Sequence, residues 1–205
     1  MTGNEMIESL QFRLEDDTSN TNFSQQQKLV ALNDAQRQAI SMLSNDALVH
    51  LQQQEDLDTV DADNDDDNFG ENDFFDLPSA SDQLMNRIVK AYDNTNNRFI
   101  EMVSPAGFRE GGNYSYGTLG TIMSNRLYVS TKDNPVTDCQ IIYIGSPSNI
   151  AADNNEIEYL SDSVQQVIVE LAESLLWRQD NRQSRASAAA NNAAAMIQTI
   201  NASGV

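Results

Sequence analysis

Cysteine and histidine are nearly absent: the chain has one of each, Cys139 and His50. A lone thiol forms no internal disulfide, which excludes a disulfide-stapled secreted scaffold. Without a second Cys or His, no Cys/His zinc cluster assembles within one chain. A Cys–His nucleophile pair would have to use these two residues, and neither stands in a recognisable catalytic motif. The simpler expectation puts Cys139, followed by Gln140-Ile141-Ile142, at a strand edge and His50 near a helix end.

Positive charge is also scarce. Twelve Lys and Arg face 31 Asp and Glu, a formal net charge of −19. That balance opposes a nucleic-acid groove, which needs cations to neutralise phosphates, and attachment to an anionic membrane surface. It suits a basic partner, cations, or a surface that must not adhere to DNA. No apolar run reaches membrane-spanning length. The opening Met1-Thr2-Gly3-Asn4-Glu5 lacks the basic region and apolar core of a signal peptide, so the expectation is a protein that stays in the compartment where it is made.

Chemistry-bearing motifs are missing as well. The stretch Gly111-Gly112-Asn113-Tyr114-Ser115-Tyr116-Gly117 has glycines but no lysine after them to meet a phosphate. No Gly-x-Ser-x-Gly elbow occurs, and no pair of carboxylates stands apart from the many exposed acids. No catalytic residue and no cofactor are expected, and the chain reads as a non-enzyme.

What is present is ordinary material for one hydrophobic core: 205 residues, 40% of them hydrophobic. Met6, Ile7, Leu10 and Leu14 recur at three- and four-residue steps, predicting an opening helix. Ser24 offers an N-cap, with Gln27 completing a capping box, for a long helix from about Gln25 to about Gln53. Its apolar face runs through Leu32, Ala35, Ala39, Met42 and Leu43, with Gln36, Arg37 and Gln38 mostly on other sides. Ser44-Asn45-Asp46 is a point of interruption.

Glu55 to Asp76 carries many acids and no Lys or Arg, and reads as a solvated acidic loop. Asp61, Asp63 and Asp65 alternate as in the first half of an EF-hand loop. The Gly and Glu such a loop requires are replaced by Asp66 and Asn72, so these three are weak metal candidates at most.

Two hairpins are expected next. One joins Asn86–Tyr92 to Arg98–Val103 through Asp93-Asn94-Thr95-Asn96-Asn97; the other joins Arg126–Thr131 to Asp138–Gly145 around Asp133-Asn134-Pro135. Ser104 to Ser124 reads as a structured loop. Ser161 or Asp162 caps a final amphipathic helix through Val164, Val167, Ile168, Leu171 and Leu175, with Glu170 and Glu173 off the stripe. That helix continues, or resumes, to about Asn201 through an Ala-rich tail anchored by Met196, Ile197 and Ile200. Arg178, Arg182 and Arg185 fall on one face beside Trp177. Arg and Trp often dominate interfaces, so these four, with Met196, Ile197 and Ile200, are the candidate protein-contact residues.

Four segments in this order resemble the head-to-tail adaptor proteins of tailed bacteriophages. They are the opening helix followed by Leu32-Asn33-Asp34-Ala35-Gln36-Arg37-Gln38-Ala39-Ile40; Leu77-Pro78-Ser79 leading to Ile88–Tyr92; Gln140-Ile141-Ile142-Tyr143-Ile144-Gly145-Ser146-Pro147; and the helix Val164 to Trp177 with its Ala- and Arg-containing tail. The acidic block departs from the pattern and has no family role.

The resemblance implies a virion structural protein at the head-tail interface, assembled in the host cytoplasm. It implies a homo-oligomeric, dodecameric ring beneath the portal that docks the next tail or ring protein. Double-stranded DNA passes through such a ring without sequence-specific binding, and no membrane is involved. The fold expected is mainly α with small β: a helix bundle of three to four helices, two projecting β-hairpins and an extended C-terminal helix. As one domain, residues 1–54 supply the N-terminal helices, 55–76 the acidic loop, 77–147 the β-hairpin region, and 148–205 the C-terminal helix and portal-reaching tail. In a free monomer the tail from Ala188 to Ile197 is expected to be loose, because Ala buries little apolar area. The alternative from another class is an acidic DNA mimic that occupies a basic DNA-binding protein.

Overall fold

Residues 1–15, 23–58, 73–77, 87–111, 118–124, 126–130, 136–157 and 160–203 are described by the structure, a computed structural model. The chain divides into two compact units: Met1–Leu51 with Pro147–Val205, and the intervening Gln52–Ser146.

The first unit is helical: α1 (Gly3–Glu15), α2 (Gln25–Met42), a short 3-10 helix (Asp46–Leu51), α4 (Asp162–Gln179) and α5 (Gln183–Ser203). The predicted starts hold. Met6, Ile7, Leu10 and Leu14 are all buried. The Ser24 side chain accepts from Gln27 N while Gln27 Oε1 accepts from Ser24 N, the reciprocal bonds of a capping box. Ser161 caps α4 through Val164 N.

Helix α4 lies at the centre of this unit and packs against α1, α2 and α5. That position explains why it is buried on nearly every side, including Val164, Val167, Ile168, Val169, Leu171, Ala172, Leu176 and Trp177. Glu170, expected off the apolar stripe, is buried too. Helix α5 meets α4 through Ala186, Ala189, Ala193, Ile197 and Ile200, and small residues let the two backbones approach. Thus the tail expected to be loose is packed along α4 within the single chain.

The long helix predicted to reach Gln53 stops at Met42. Leu43 N–H still bonds Ala39 O, but Leu43 itself is extended, and Ser44 Oγ accepts from Ala47 N to start the 3-10 turn. The interruption at Ser44-Asn45-Asp46 is therefore a true end, set by side chains that compete with the helical backbone.

The second unit overturns the expectation of a mainly α fold with small β. Among the described residues about 52% are helical and 26% are in strands. Seven strands form one mixed sheet in the order β1-β7-β3-β4-β5-β6-β2. They are β1 (Gln52–Asp58), β2 (Asp73–Asp76), β3 (Ile88–Asp93), β4 (Arg98–Met102), β5 (Thr118–Met123), β6 (Arg126–Ser130) and β7 (Asp138–Ile144), with α3 (Pro105–Gly111) between β4 and β5. All pairs are antiparallel except β4 with β5. The end strands β1 and β2 approach each other, so the sheet curls around its core. That core is Leu57, Phe75, Leu77, Ala91, Ile100, Leu127, Val129, Val136, Cys139, Ile141 and Tyr143.

The hairpin across Asp93–Asn97 is present as β3–β4. The second predicted hairpin is not. β6 pairs with β5 and β2, while β7 sits between β1 and β3. Both strands have the right alternation, but alternation does not name a partner. The stretch expected as a loop from Ser104 to Ser124 holds α3 and β5 instead. The acidic block is bounded by strands rather than being loop throughout: β1 covers its start and β2 its end. Gln52-Gln53-Gln54-Glu55-Asp56-Leu57-Asp58 has little intrinsic β preference. Its pairing with the apolar β7, from Gln52↔Ile144 to Asp58↔Asp138, supplies what propensity does not.

Candidate functional site

Of the predicted contact residues, Trp177, Arg178, Arg182 and Arg185 stand at the corner between α4 and α5, but not as one helix face, while Met196, Ile197 and Ile200 lie towards the other end of α5. Helix α4 ends at Gln179, and Asn181 takes φ 58°, the left-handed conformation that Asn tolerates better than branched residues. Arg182 N–H then bonds Trp177 O at 2.9 Å, closing the turn. Arg178 is therefore on α4, Arg182 in the turn and Arg185 on α5, which corrects the single-helix spacing.

Trp177 is fully buried, so it offers no surface of its own in this chain. Its Nε1 donates to Glu173 Oε1 at 3.0 Å. The guanidinium carbons of Arg182 and Arg185 lie 5.2 and 5.0 Å from its ring centre, both within cation–π range. Arg182 Nε also pairs with Asp180 Oδ2 at 2.7 Å. Arg178 and Arg185 are exposed. Of the tail anchors, Ile197 and Ile200 are buried against α4 and Met196 is half-buried.

Sequence reasoning missed the partner of the buried Glu170. Arg13 on α1 bonds Glu170 Oε1 and reaches Glu173 Oε2 at 3.4 Å. Glu173 thus joins Arg13 to Trp177, and a polar network runs from α1 to the α4–α5 corner. A second missed feature is a clamp on the segment after Pro147. Asn33 Oδ1 accepts from Ile150 N at 2.8 Å, its Nδ2 donates to Ile150 O at 3.1 Å, and Gln36 Nε2 donates to Ser148 O at 3.3 Å. The cue was an Asn and a Gln three residues apart on a helix face whose neighbours are apolar.

In the β unit, Lys90, Tyr92, Phe99, Gln140 and Ile142 line a shallow groove of 240 Å³ with Ala91 at its floor. Phe99 is 69% exposed and meets Tyr92 edge-on, ring centres 5.2 Å apart. Sequence reading placed Phe99 only as one residue of a strand.

Nothing at these places supplies a catalytic constellation. Cys139 is buried in the β core, and desolvation first, then the charges of Asp93 and Asp138, push its thiol up to about 12. Such a thiol is an inert apolar filler at neutral pH. His50 is exposed at the end of the 3-10 helix, near the helix end expected. The weak metal candidates Asp61, Asp63 and Asp65 lie outside the described residues, as does Gly112–Gly117. Among the described residues no group of three or more His, Cys, Asp or Glu is placed to hold a metal ion. No described helix is long and apolar enough to cross a membrane.

No protein-family model matches the chain, and no curated protein matches it in sequence.

Proposed function

We propose that this chain is a structural subunit of the head-to-tail adaptor type, which assembles into a ring beneath a phage portal and lets double-stranded DNA pass. The observation that carries the reading is the clamp of Asn33 and Gln36 on Ser148 and Ile150. Those residues belong to, or directly follow, two of the four segments on which the resemblance rests. The segments are more than a hundred positions apart, and their polar residues have a joint structural purpose. A helical unit built from both ends of the chain, with a β unit between α2 and α4, also suits such a subunit.

The β unit is larger than two projecting hairpins, so the reading rests on the helical unit. A net charge of −19 fits a bore that repels the phosphate backbone, so that the duplex slides rather than adheres.

Light scattering after size exclusion tests the proposal on the purified chain, alone and mixed with its candidate portal. A large particle of about twelve copies with the portal is the expected result. A one-to-one complex with a basic DNA-binding protein, and no assembly with a portal, would replace this reading with that of an acidic DNA mimic.

A further inference from the structure

The β unit presents an aromatic face to solvent. On β3 and β4, Ala91 and Ile100 stand opposite each other, and both belong to the core. Side chains alternate along a strand, so their neighbours Lys90, Tyr92, Phe99 and Glu101 stand on the outer face. Tyr92 is paired there with Phe99, and Gln140 and Ile142 of β7 help to line the 240 Å³ groove beside them. Phe99 is 69% exposed although β3 and β4 are interior strands of the sheet. Exposed apolar groups gathered in this way mark a contact surface.

Two charges on this face are unengaged. Lys90 and Glu101 are exposed, and neither side chain makes an ion pair or hydrogen bond among the described residues. The acids nearby are engaged: Asp56 Oδ1 accepts from Gln140 Nε2 at 2.6 Å, and Asp138 Oδ1 accepts from Asn94 Nδ2 at 3.0 Å. The face therefore holds one free cation and one free anion beside two aromatic rings. Such a patch is complementary to itself across a two-fold axis, where each residue meets the other member of its pair. Lys90 and Glu101 cancel in charge, so copies repel one another less here than a net charge of −19 makes them do elsewhere. A nucleic-acid strand would stack on the rings but bring its phosphates to a single lysine among acids.

We propose that the outer face of β3 and β4 is a two-fold contact between two copies of this chain. Phe99 of each copy enters the groove of the other, and Lys90 of each meets Glu101 of the other. An aromatic centre with charges around it is the usual anatomy of an interface. Sheets packed face to face stand about 10 Å apart, which leaves room for side chains to interdigitate. The proposal goes beyond the ring reading and does not rest on it, because an isologous contact joins subunits in pairs and does not by itself close a ring.

Sedimentation equilibrium of the full chain, carried up to about 1 mM, covers the range in which a contact only two strands wide associates. At about 150 mM salt, repulsion between distant charges is screened. A reversible dimer is expected. F99S removes the apolar insert from an exposed position and is expected to weaken the dimer at least tenfold. K90E sets acid against acid at both ends of the contact, E101K sets cation against cation, and each alone is expected to weaken it at least tenfold. Mixing K90E with E101K places opposite charges at both ends again, and a one-to-one dimer is expected to return.

Circular dichroism establishes that the variants fold; should F99S not fold, the charge variants and their mixture carry the test. A wild-type chain that stays monomeric up to about 1 mM would overturn the proposal. So would charge variants that dimerise like wild type, or a mixture that associates no better than either variant alone. A larger particle that forms equally well with K90E, E101K and wild type would overturn it while leaving the ring reading intact. Failure of the wild type to assemble with any portal, with the dimer still restored by mixing, would remove the ring reading alone.

Discussion

Asn33 on α2 holds both backbone groups of Ile150: its Oδ1 accepts from Ile150 N at 2.8 Å, and its Nδ2 donates to Ile150 O at 3.1 Å. The same Nδ2 donates to Leu29 O at 2.9 Å, so the amide orientation is fixed from within its own helix. Ile150 is buried, and without Asn33 its N–H and C=O would need other partners. Replacing Asn33 with Ala is expected to destabilise the chain by about 2 kcal/mol, the scale of leaving buried polar groups unmade. Asn33→Asp keeps the acceptor but sets a carboxylate against Ile150 O, and is expected to cost at least as much. Urea unfolding of both variants measures this, and equal stability to wild type would contradict it.

The Arg13–Glu170 pair joins α1 to the central helix. Glu170 is 7% exposed, and its Oε2 has no hydrogen-bond partner among the described residues. Arg13→Ala leaves that carboxylate in place without its cation, with Arg13 itself about one third exposed. The expected loss is about 2–3 kcal/mol, below the full figure for a wholly buried pair. Arg13→Met combined with Glu170→Met is expected to recover most of it, because neither charge remains to be desolvated. Thermal melts of wild type, Arg13→Met, Glu170→Met and the double variant form the required cycle.

Cys139 gives the chain an alkaline limb. Its folded value of about 12 stands above the ordinary value near 9. Between those values the folded state keeps its proton and the unfolded state has lost it. Stability is therefore fully present below the unfolded value and lost as pH rises towards 12, by about 1.4 kcal/mol per pH unit. Cys139→Ala has no such group. The stability difference between wild type and this variant should shrink across pH 9–11 in denaturant titrations. A difference independent of pH would show that the thiol titrates normally.

The α4–α5 corner turns on Asn181 at φ 58°. Gly at this position is expected to hold or slightly raise stability, by up to about 1 kcal/mol, because it enters this region without Cβ strain. Asn181→Val is expected to lower it by about 1–2 kcal/mol. In the same series Asn181→Val should weaken the Trp177–Arg185 stack, which near-ultraviolet circular dichroism and Trp fluorescence report.

Legibility of the helical unit followed from local chemistry. Met6 to Leu14, the Ser24–Gln27 box and the Ser161 cap are short-range patterns, and each stands where the spacing puts it. The β unit was only half legible. The β3–β4 hairpin has its turn residues in sequence, whereas β1 is polar, β5 lies in a stretch read as loop, and β6 and β7 are not partners. Non-local pairing leaves no mark on a single strand beyond its alternation. At the corner, the residue types Trp and Arg were visible and a resumed helix was one of two readings, but the sequence reading did not place the break at Asp180-Asn181. That break turns a supposed stripe on one helix into two cations over a buried ring, with Arg178 left on α4 before the turn.

By itself the sequence determined the acidity, the near absence of Cys and His, the starts of the helices and the faces they bury. These follow from composition and from contacts within a few residues. Tertiary structure alone decided which strands pair, that α5 folds back along α4, and that Asn33 and Arg13 find Ile150 and Glu170. Those outcomes depend on which distant groups can satisfy buried donors and charges, and only the closed chain brings the groups within reach.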